Sequence, residues 1–202
     1  MTAFEPVTLS GTRVRLEPLA HAHASDLAEA VRDGELWRLW YTTIPPPEKM
    51  SAEIDRRLGL AAEGKMLPFA VIDLVAGTAV GMTTFLNIDA VNKRVEIGAT
   101  WYRQRAQRTE INTQCKLLLL THAFERLDCI AVEFRTHFFN HASRRGKLAR
   151  NPVLAVWLAA GNRAEVWSWS KRRGRWVCRR ESLTPADLRG AGDDRVDHAG
   201  AF

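Results

Sequence analysis

The sequence predicts an α+β fold, and three observations carry that expectation. Three strand-like segments, 68–74, 78–87 and 94–101, follow one another across gaps too short for a crossover helix, so they pair as antiparallel hairpins. A helical pattern then runs from about Asn112 to Leu127, and an apolar run from Cys129 to Phe134 follows it at once as a buried strand. Hairpins followed by strand–helix–strand make a mixed, mostly antiparallel twisted sheet flanked by helices, with one right-handed crossover.

The remaining elements fit around that frame. Thr12 to Glu17 alternates, with Val14 and Leu16 against Arg13, Arg15 and Glu17, which marks a half-buried strand ended by Pro18. Asp26 to Val31 has helical spacing, with Ser25 or an earlier residue as its cap. The aromatic segment Leu36 to Tyr41 is bounded by Pro45-Pro46-Pro47, which excludes helix there and holds the chain extended. Ser51 to Ala62 returns to helical spacing through Ile54, Leu58 and Ala61. Within 112–127, the Leu117–Leu120 run is apolar nearly all round, so it is expected to be buried on more than one side. Beyond Arg144, segments 152–157, 164–168 and 175–178 read as short strands that add a marginal pair to the sheet edge. The Gly/Asp/Arg-rich end reads as disordered. One domain over 1–180 and a disordered tail over 181–202 is the expected organisation.

Composition narrows the function classes. Of the 202 residues 46% are hydrophobic and 26% charged, which is globular rather than disordered composition. No run approaches the roughly 18 apolar residues of a membrane span. The first residues lack a basic start followed by an apolar stretch, so a cytoplasmic location is expected. Cys115, Cys129 and Cys178 lack metal-ligand spacing and read as reduced core thiols; no metal is expected. Residues 1–140 hold 16 Lys and Arg against 17 Asp and Glu, whereas 141–202 hold 13 against 6. The net charge of +6 therefore belongs to the tail. A domain built for nucleic acid would place a basic stripe on its main body, and this one does not.

The segment from Trp101 to Thr113 is the sharpest chemical feature. It joins a strand to the start of the apolar helix and brings Arg103, Arg105 and Arg108. A helix N-terminus presents unpaired N–H groups and partial positive charge, which suits phosphate. Arginines beside it add charge-assisted bonds. A solvated basic loop capped by Asn112 or Thr113 explains the same residues without a ligand.

Several motifs in order resemble the GCN5-related N-acetyltransferases, in particular the ribosomal-protein N-terminal acetyltransferase branch. They are Leu9-x-Gly11-x-x-Val14-x-Leu16-x-Pro18-Leu19, Glu96-Ile97-Gly98-x-x-Trp101, Gln107 to Thr113 where the family carries Q/R-x-x-G-x-G/A, the Leu-rich helix with His122-Ala123-Phe124-Glu125, and Asn140-x-x-Ser143. The resemblance covers about residues 8–145. Glu110 departs from the family by replacing the first motif glycine, and Asn112 stands at the second small position. Glu110 must turn outward or pair with Arg105 or Arg108 to leave room for a pyrophosphate. After Ser143 the chain changes abruptly to Arg/Trp/Ala-rich sequence; a divergent tail and a shifted reading frame both produce such a change.

The resemblance implies a sheet splayed as a V between the family's fourth and fifth strands, with acetyl-CoA as co-substrate. Trp101, Gln107, Arg108, Thr109, Ile111, Asn112, Thr113, Asn140 and Ser143 are the implied cofactor-binding positions. Glu96 is the candidate to deprotonate the ammonium through a water, and a backbone N–H of the same strand is the candidate for the thioester oxygen. The plain alternative for Glu96 is a solvent-facing residue paired with Arg94 or Arg135. Alternation puts Val95, Ile97 and Trp101 on one face and Glu96, Gly98 and Thr100 on the other. Trp37, Trp40 and Tyr41 are core residues or a substrate wall, and His122 is a core histidine or a catalyst. His137 and His141 flank Asn140. The implied reaction is acetyl transfer to a primary amine, on a protein N-terminus or a small molecule. The implied partner is that amine, with a homodimer allowed and neither nucleic acid nor membrane expected. The competing readings are an acyl-CoA-binding regulatory protein that has lost turnover, and a nucleic-acid-associated protein using the Arg/Trp-rich tail.

Overall fold

Alternating apolar residues build the sheet from its first strands. The structure, a computed structural model, describes residues 4–135 together with strand segments within 155–183. β1 (Leu9–Ser10) pairs antiparallel with β2 (Val14–Pro18), whose Val14 and Leu16 are fully buried. β3 (Met66–Asp73), β4 (Thr78–Asp89) and β5 (Arg94–Tyr102) continue the antiparallel meander. β6 (Ala131–Glu133) completes a six-stranded sheet in the order β1-β2-β3-β4-β5-β6. The N–H groups of Ile130 and Ala131 both point to the Lys93 carbonyl, so β6 begins where β5 begins. That is the parallel arrangement a helical crossover produces.

The helices fall where apolar spacing places them, with adjusted ends. α1 (Ala24–Arg32) buries Leu27, Ala30 and Val31. Its N-cap is His23, without a side-chain cap, and Ser25 lies inside the helix. α2 (Met50–Ala62) buries Met50, Ile54 and Arg57. The proline run does not exclude helix throughout: Pro46 is extended, but Pro47 opens a short 3-10 turn, Pro47–Lys49, that leads into α2. Proline suits a first helical position because the N–H it lacks has no partner there. α3 spans Glu110–Glu125, two residues earlier than its apolar spacing suggests. Thr109 caps it by accepting from the Ile111 N–H at 3.3 Å, so neither Asn112 nor Thr113 is the cap. In its leucine run, Leu119 and Leu120 are buried while Leu117 is 58% exposed, so that run is less enclosed than its composition suggests. The strand after α3 is also shorter, with Ile130 exposed.

The strands beyond 150 form a sheet of their own rather than a pair on the main sheet. β7 (Ala155–Leu158), β8 (Ala164–Arg172) and β9 (Arg175–Leu183) are antiparallel in the order β7-β8-β9. Compactness divides the chain into residues 1–131 and 132–202.

One inserted residue in β5 decides which side chains share a face. Thr84 pairs with Gly98 but Met82 pairs with Trp101, so two steps on β4 answer three on β5. Ala99 takes up the difference with a left-handed backbone, φ 46°. Trp101 therefore stands opposite Met82, on the face of Thr84, Gly98 and Glu96, and packs with α1 and α2 residues. Thr100 turns to the α3 side, where its hydroxyl meets Thr83 at 2.8 Å and accepts from Lys116 Nζ at 3.1 Å. The simple alternation expected from the sequence is thus reversed at Trp101 and Thr100. Gly81 makes the irregular pairing possible, since a Cβ there would lie 2.1 Å from the Trp101 carbonyl oxygen.

The α3-side core centres on Phe85, which is fully buried and meets Phe69 edge-on at 6.0 Å. Phe85→Ala should lower unfolding stability by about 3–5 kcal/mol, read as a fall in the denaturation midpoint with an unchanged slope.

Candidate functional site

Glu96 sits in mid-strand on β5 and is only 5% exposed, which removes the solvent-facing alternative. Asn87 Nδ2 donates to its Oε2 at 2.7 Å. Asn87 can reach because β4 also carries an extra residue there, and Asn87 takes it up with φ 48°. Asparagine tolerates that conformation better than most residues. The other carboxylate oxygen folds over Gly98: a Cβ at Gly98 would lie 2.9 Å from Glu96 Oε1. Arg94 donates to Asp89 and Arg135 to Glu133.

Next to this carboxylate lies a buried polar row that the sequence reading missed. Thr84, opposite Gly98, is fully buried and accepts from Arg57 Nη1 at 2.8 Å. Arg57 is 4% exposed and donates from Nε to Glu53 Oε1 at 2.7 Å. Glu53 also takes two bonds from Arg56, at 2.7 and 2.8 Å. Burial pulls the Arg57 pKa down, while Glu53 pulls it back up. Burial likewise opposes ionisation of Glu53, but the two arginines outweigh it and hold its pKa below the ordinary value. The indole N–H of Trp101, on the same face, is buried without a hydrogen-bond partner.

The loop after β5 is fixed by its own bonds. Gln107 Nε2 donates to the Tyr102 carbonyl at 3.0 Å, and Thr109 Oγ1 donates to the Ala106 carbonyl at 2.7 Å. Arg108 is exposed with φ 63° and directly precedes the Thr109 cap. Ile111 is buried, so only its backbone faces the helix start, and its N–H is taken by Thr109. Helix geometry leaves the N–H groups of Glu110 and Asn112 without intrahelical partners. Asn112 is half-buried and Thr113 exposed. Glu110 pairs with neither Arg105 nor Arg108; its Oε2 accepts from Gln114 Nε2, one turn along the helix, at 3.2 Å. Gln114 in turn holds the N-terminal strands through the Arg13 N–H at 2.9 Å and Thr12 at 3.0 Å. A helix start with open amides, a flanking arginine and its one carboxylate tied along the helix fits a pyrophosphate.

A second missed residue, Asp33, ties the end of α1 to this loop. Its Oδ2 accepts from Arg103 Nε at 3.0 Å and from Arg105 Nε and N at 2.9 and 3.3 Å. Its carbonyl accepts from Gln104 N at 3.0 Å. Partners seventy residues apart leave no local pattern to read. Immediately after come Leu36, buried, and the aromatic segment. Trp37 packs against the α1–α2 cluster, whereas Trp40 is 71% exposed and is not core. Tyr41 meets Trp40 edge-on at 5.7 Å. His122 lies on the other side of the sheet, its ring 6.3 Å from Phe85, with its pKa lowered by burial and by Arg126. It is not brought to Glu96. Asn140, Ser143, His137 and His141 lie outside the described residues.

The two described cysteines are unreactive by environment. Burial pushes the Cys115 thiol up to about 12, and burial with Asp128 pushes Cys129 to about 11. The Tyr102 hydroxyl lies against Cys115 without the geometry of a full hydrogen bond. Among the described residues no three His, Cys, Asp or Glu side chains come together to hold a metal, and no helix is long and apolar enough to cross a membrane.

The family model described as an acetyltransferase (GNAT) domain matches residues 13–146. The chain belongs to the GNAT family. Solved structures agree in fold. A GCN5-related N-acetyltransferase from Brucella melitensis is 23% identical, with TM-score 0.62 over 91% of this chain and 80% of that one. RimL, a ribosomal L7/L12 alpha-N-protein acetyltransferase, is 20% identical, with TM-score 0.63 over 74% and 82%. The Salmonella typhimurium acetyltransferase that modifies the N-terminal serine of ribosomal protein L7/L12 is 16% identical, with TM-score 0.63 over 88% and 99%. No curated protein matches the chain. In family terms the fourth and fifth strands are β5 and β6, so Glu96 lies on the fourth.

Asp33 generates a pH prediction. Burial opposes its charge, but the bonds from Arg103 and Arg105 prevail and lower its pKa below the ordinary value. Its contribution to stability is therefore complete above about pH 4 and is lost as pH falls through the lowered folded-state pKa. Asp33→Asn should be less stable than wild type at pH 7, and the gap should close as both are titrated below pH 4 in denaturant melts. At Gly98, Gly98→Ala should displace the Glu96 carboxylate, and turnover should fall more than stability does.

Proposed function

We propose that the chain is an acetyl-CoA-dependent N-acetyltransferase that acetylates a primary amine directly, on a protein N-terminus or a small molecule. The observation that carries the proposal is Glu96. It is a buried carboxylate held between Asn87 and the bare backbone of Gly98, on the strand that runs into the phosphate-suited start of α3.

Bound acetyl-CoA supplies the activated thioester carbonyl. The Glu110 and Asn112 amides, with Arg108, hold its diphosphate. Trp101, Gln107, Thr109, Ile111 and Thr113 shape that cradle through backbone position and packing. Glu96 accepts the proton of the incoming ammonium, directly or through a water, and Asn87 keeps the carboxylate aimed. The bulge supplies the third part. Ala99 and Thr100 have no pairing partner on β4, and a bulge leaves ladder groups unspent, so an N–H there is the donor for the developing oxyanion. Trp40 and Tyr41 form a wall for the acceptor, with Trp37 anchoring them to the core.

Millimolar acetyl-CoA should raise the melting temperature, because a ligand bound only by the native state stabilises it by mass action. An unmoved melting temperature with no heat in calorimetry would refute the assignment. Arg108→Ala should weaken acetyl-CoA binding by about 1–3 kcal/mol, and an unchanged dissociation constant would place Arg108 away from the phosphates. Glu96→Gln should lower kcat by about 10²–10⁴-fold while acetyl-CoA still binds.

A further inference from the structure

Lys116 lies on α3 at 5% exposure, beside the buried Cys115 and one turn before the buried Leu119 and Leu120. Taking an ammonium out of water is costly, and a methionine would fill a similar space without that cost. Nor is the charge needed to hold the helix, which buries its own apolar face and is tied to the N-terminal strands by Gln114. What the ammonium reaches is therefore informative. Its Nζ donates to Thr100 Oγ1 at 3.1 Å, directly after the left-handed Ala99 of the bulge.

Valence assigns the protons around Thr100. A hydroxyl carries one hydrogen and two acceptor sites. Lys116 can only donate to it, and the Gly98 carbonyl, 3.2 Å from the same oxygen, can only accept. With all three bonds made together, the Thr100 hydrogen goes to Gly98, and Thr83 donates to Thr100 at 2.8 Å. The Gly98 carbonyl is one end of the peptide whose other end is the Ala99 N–H. That peptide is trans, so the two groups point in opposite directions. With its carbonyl held on the Thr100 hydroxyl, the N–H is aimed away from Lys116, at an exposed residue with no pairing partner on β4. Linked hydrogen bonds polarise one another, so a cation acting on the carbonyl end strengthens the donor at the N–H end. Glu96 Oε1 folds over the same Gly98, so this donor and the proton acceptor adjoin.

We propose that Lys116 is a positioning residue for acetyl transfer: through the Thr100 hydroxyl and the Gly98 carbonyl it fixes and polarises the peptide whose Ala99 N–H meets the charge developing on the thioester oxygen. This rests on the reading of β5 as the strand that holds the thioester, and it names one N–H of the bulge as the donor.

The test uses acetyl-CoA isotope-labelled at the thioester carbonyl, whose infrared stretch falls as its oxygen is polarised. In wild type the stretch of bound acetyl-CoA should lie below that of free acetyl-CoA. Lys116→Met and Thr100→Val should both return it toward the free value while the dissociation constant stays within about threefold, and Thr100→Ser, which keeps the hydroxyl, should restore the wild-type position. With whichever of alaninamide, alanine and isopropylamine wild type acetylates fastest, each of the first two variants should lower kcat about 10–100-fold at little change in KM. The double variant should be no slower than the slower single one, because the two groups act in one chain. A stretch equally lowered in wild type and both variants would overturn the proposal, as would losses of kcat that multiply in the double variant. Should Lys116→Met fail to fold by circular dichroism, Thr100→Val against Thr100→Ser decides on the infrared shift. Acetyl-CoA binding and turnover with an unmoved stretch refutes the role of Lys116 alone. Absence of both binding and turnover refutes the acetyl-transfer reading, and this inference with it.

Discussion

The bulge at Ala99 is the constraint on which the site rests. A strand presents alternate side chains to alternate faces, so one additional residue exchanges the faces of everything beyond it. Before the bulge, Ile97 looks toward α3 and Glu96 toward α1 and α2; after it, Trp101 joins Glu96 and Thr100 joins the α3 side. The cost is a left-handed alanine and a pairing so close that only glycine fits at position 81. In return, a carboxylate, an indole and a glycine-bared patch of backbone share one surface.

Around that strand the polar groups are arranged by short local bonds at one end and long-range bonds at the other. Gln107 and Thr109 fold the loop onto its own carbonyls, which sets the entry to α3 without help from a ligand. Gln114 and Asp33 then tie the same region to the N-terminal strands and to the end of α1. Glu110, which takes the place of a small residue in the family pattern, is compatible with this arrangement because Gln114 draws its carboxylate along the helix. An acidic residue in a first helical turn is also favoured by the helix dipole.

Short gaps made the β3–β4–β5 meander legible, and apolar spacing made all three helices legible to within a few residues. The ends were less so, because capping is decided by geometry among neighbours of similar propensity: Thr109 and Asn112 are both good caps, and only Thr109 is placed to act. Faces beyond the bulge were misread because counting by twos assumes a regular strand, and Ala99 carries none of the glycine signal that marks a left-handed position. Arg57 was overlooked because Glu53 and Arg57 at a spacing of four look like a solvated pair. Yet Met50, Ile54 and Arg57 lie along one stripe, and an arginine on an apolar stripe is the signal that was there to read. Asp33 had no such signal, since its partners lie about seventy residues away.

The corner at 33–35 has an implication for how this scaffold can diversify. Gly34 and Glu35 are both left-handed, and a Cβ on Gly34 would lie 2.8 Å from that of Gln104, so the corner is wedged as well as bonded. A joint that is wedged and bonded does not hinge. The aromatic segment that leaves it starts in a fixed direction, set by the same loop that leads into α3. New shapes on that side of the molecule must then arise downstream, in the stretch between Leu39 and the prolines, where insertions and deletions can change length without disturbing the loop. Variation at 40–43, between the core-packed Leu39 and Ile44, should keep the fold, whereas variation at 33–35 should also disturb the loop that leads into α3.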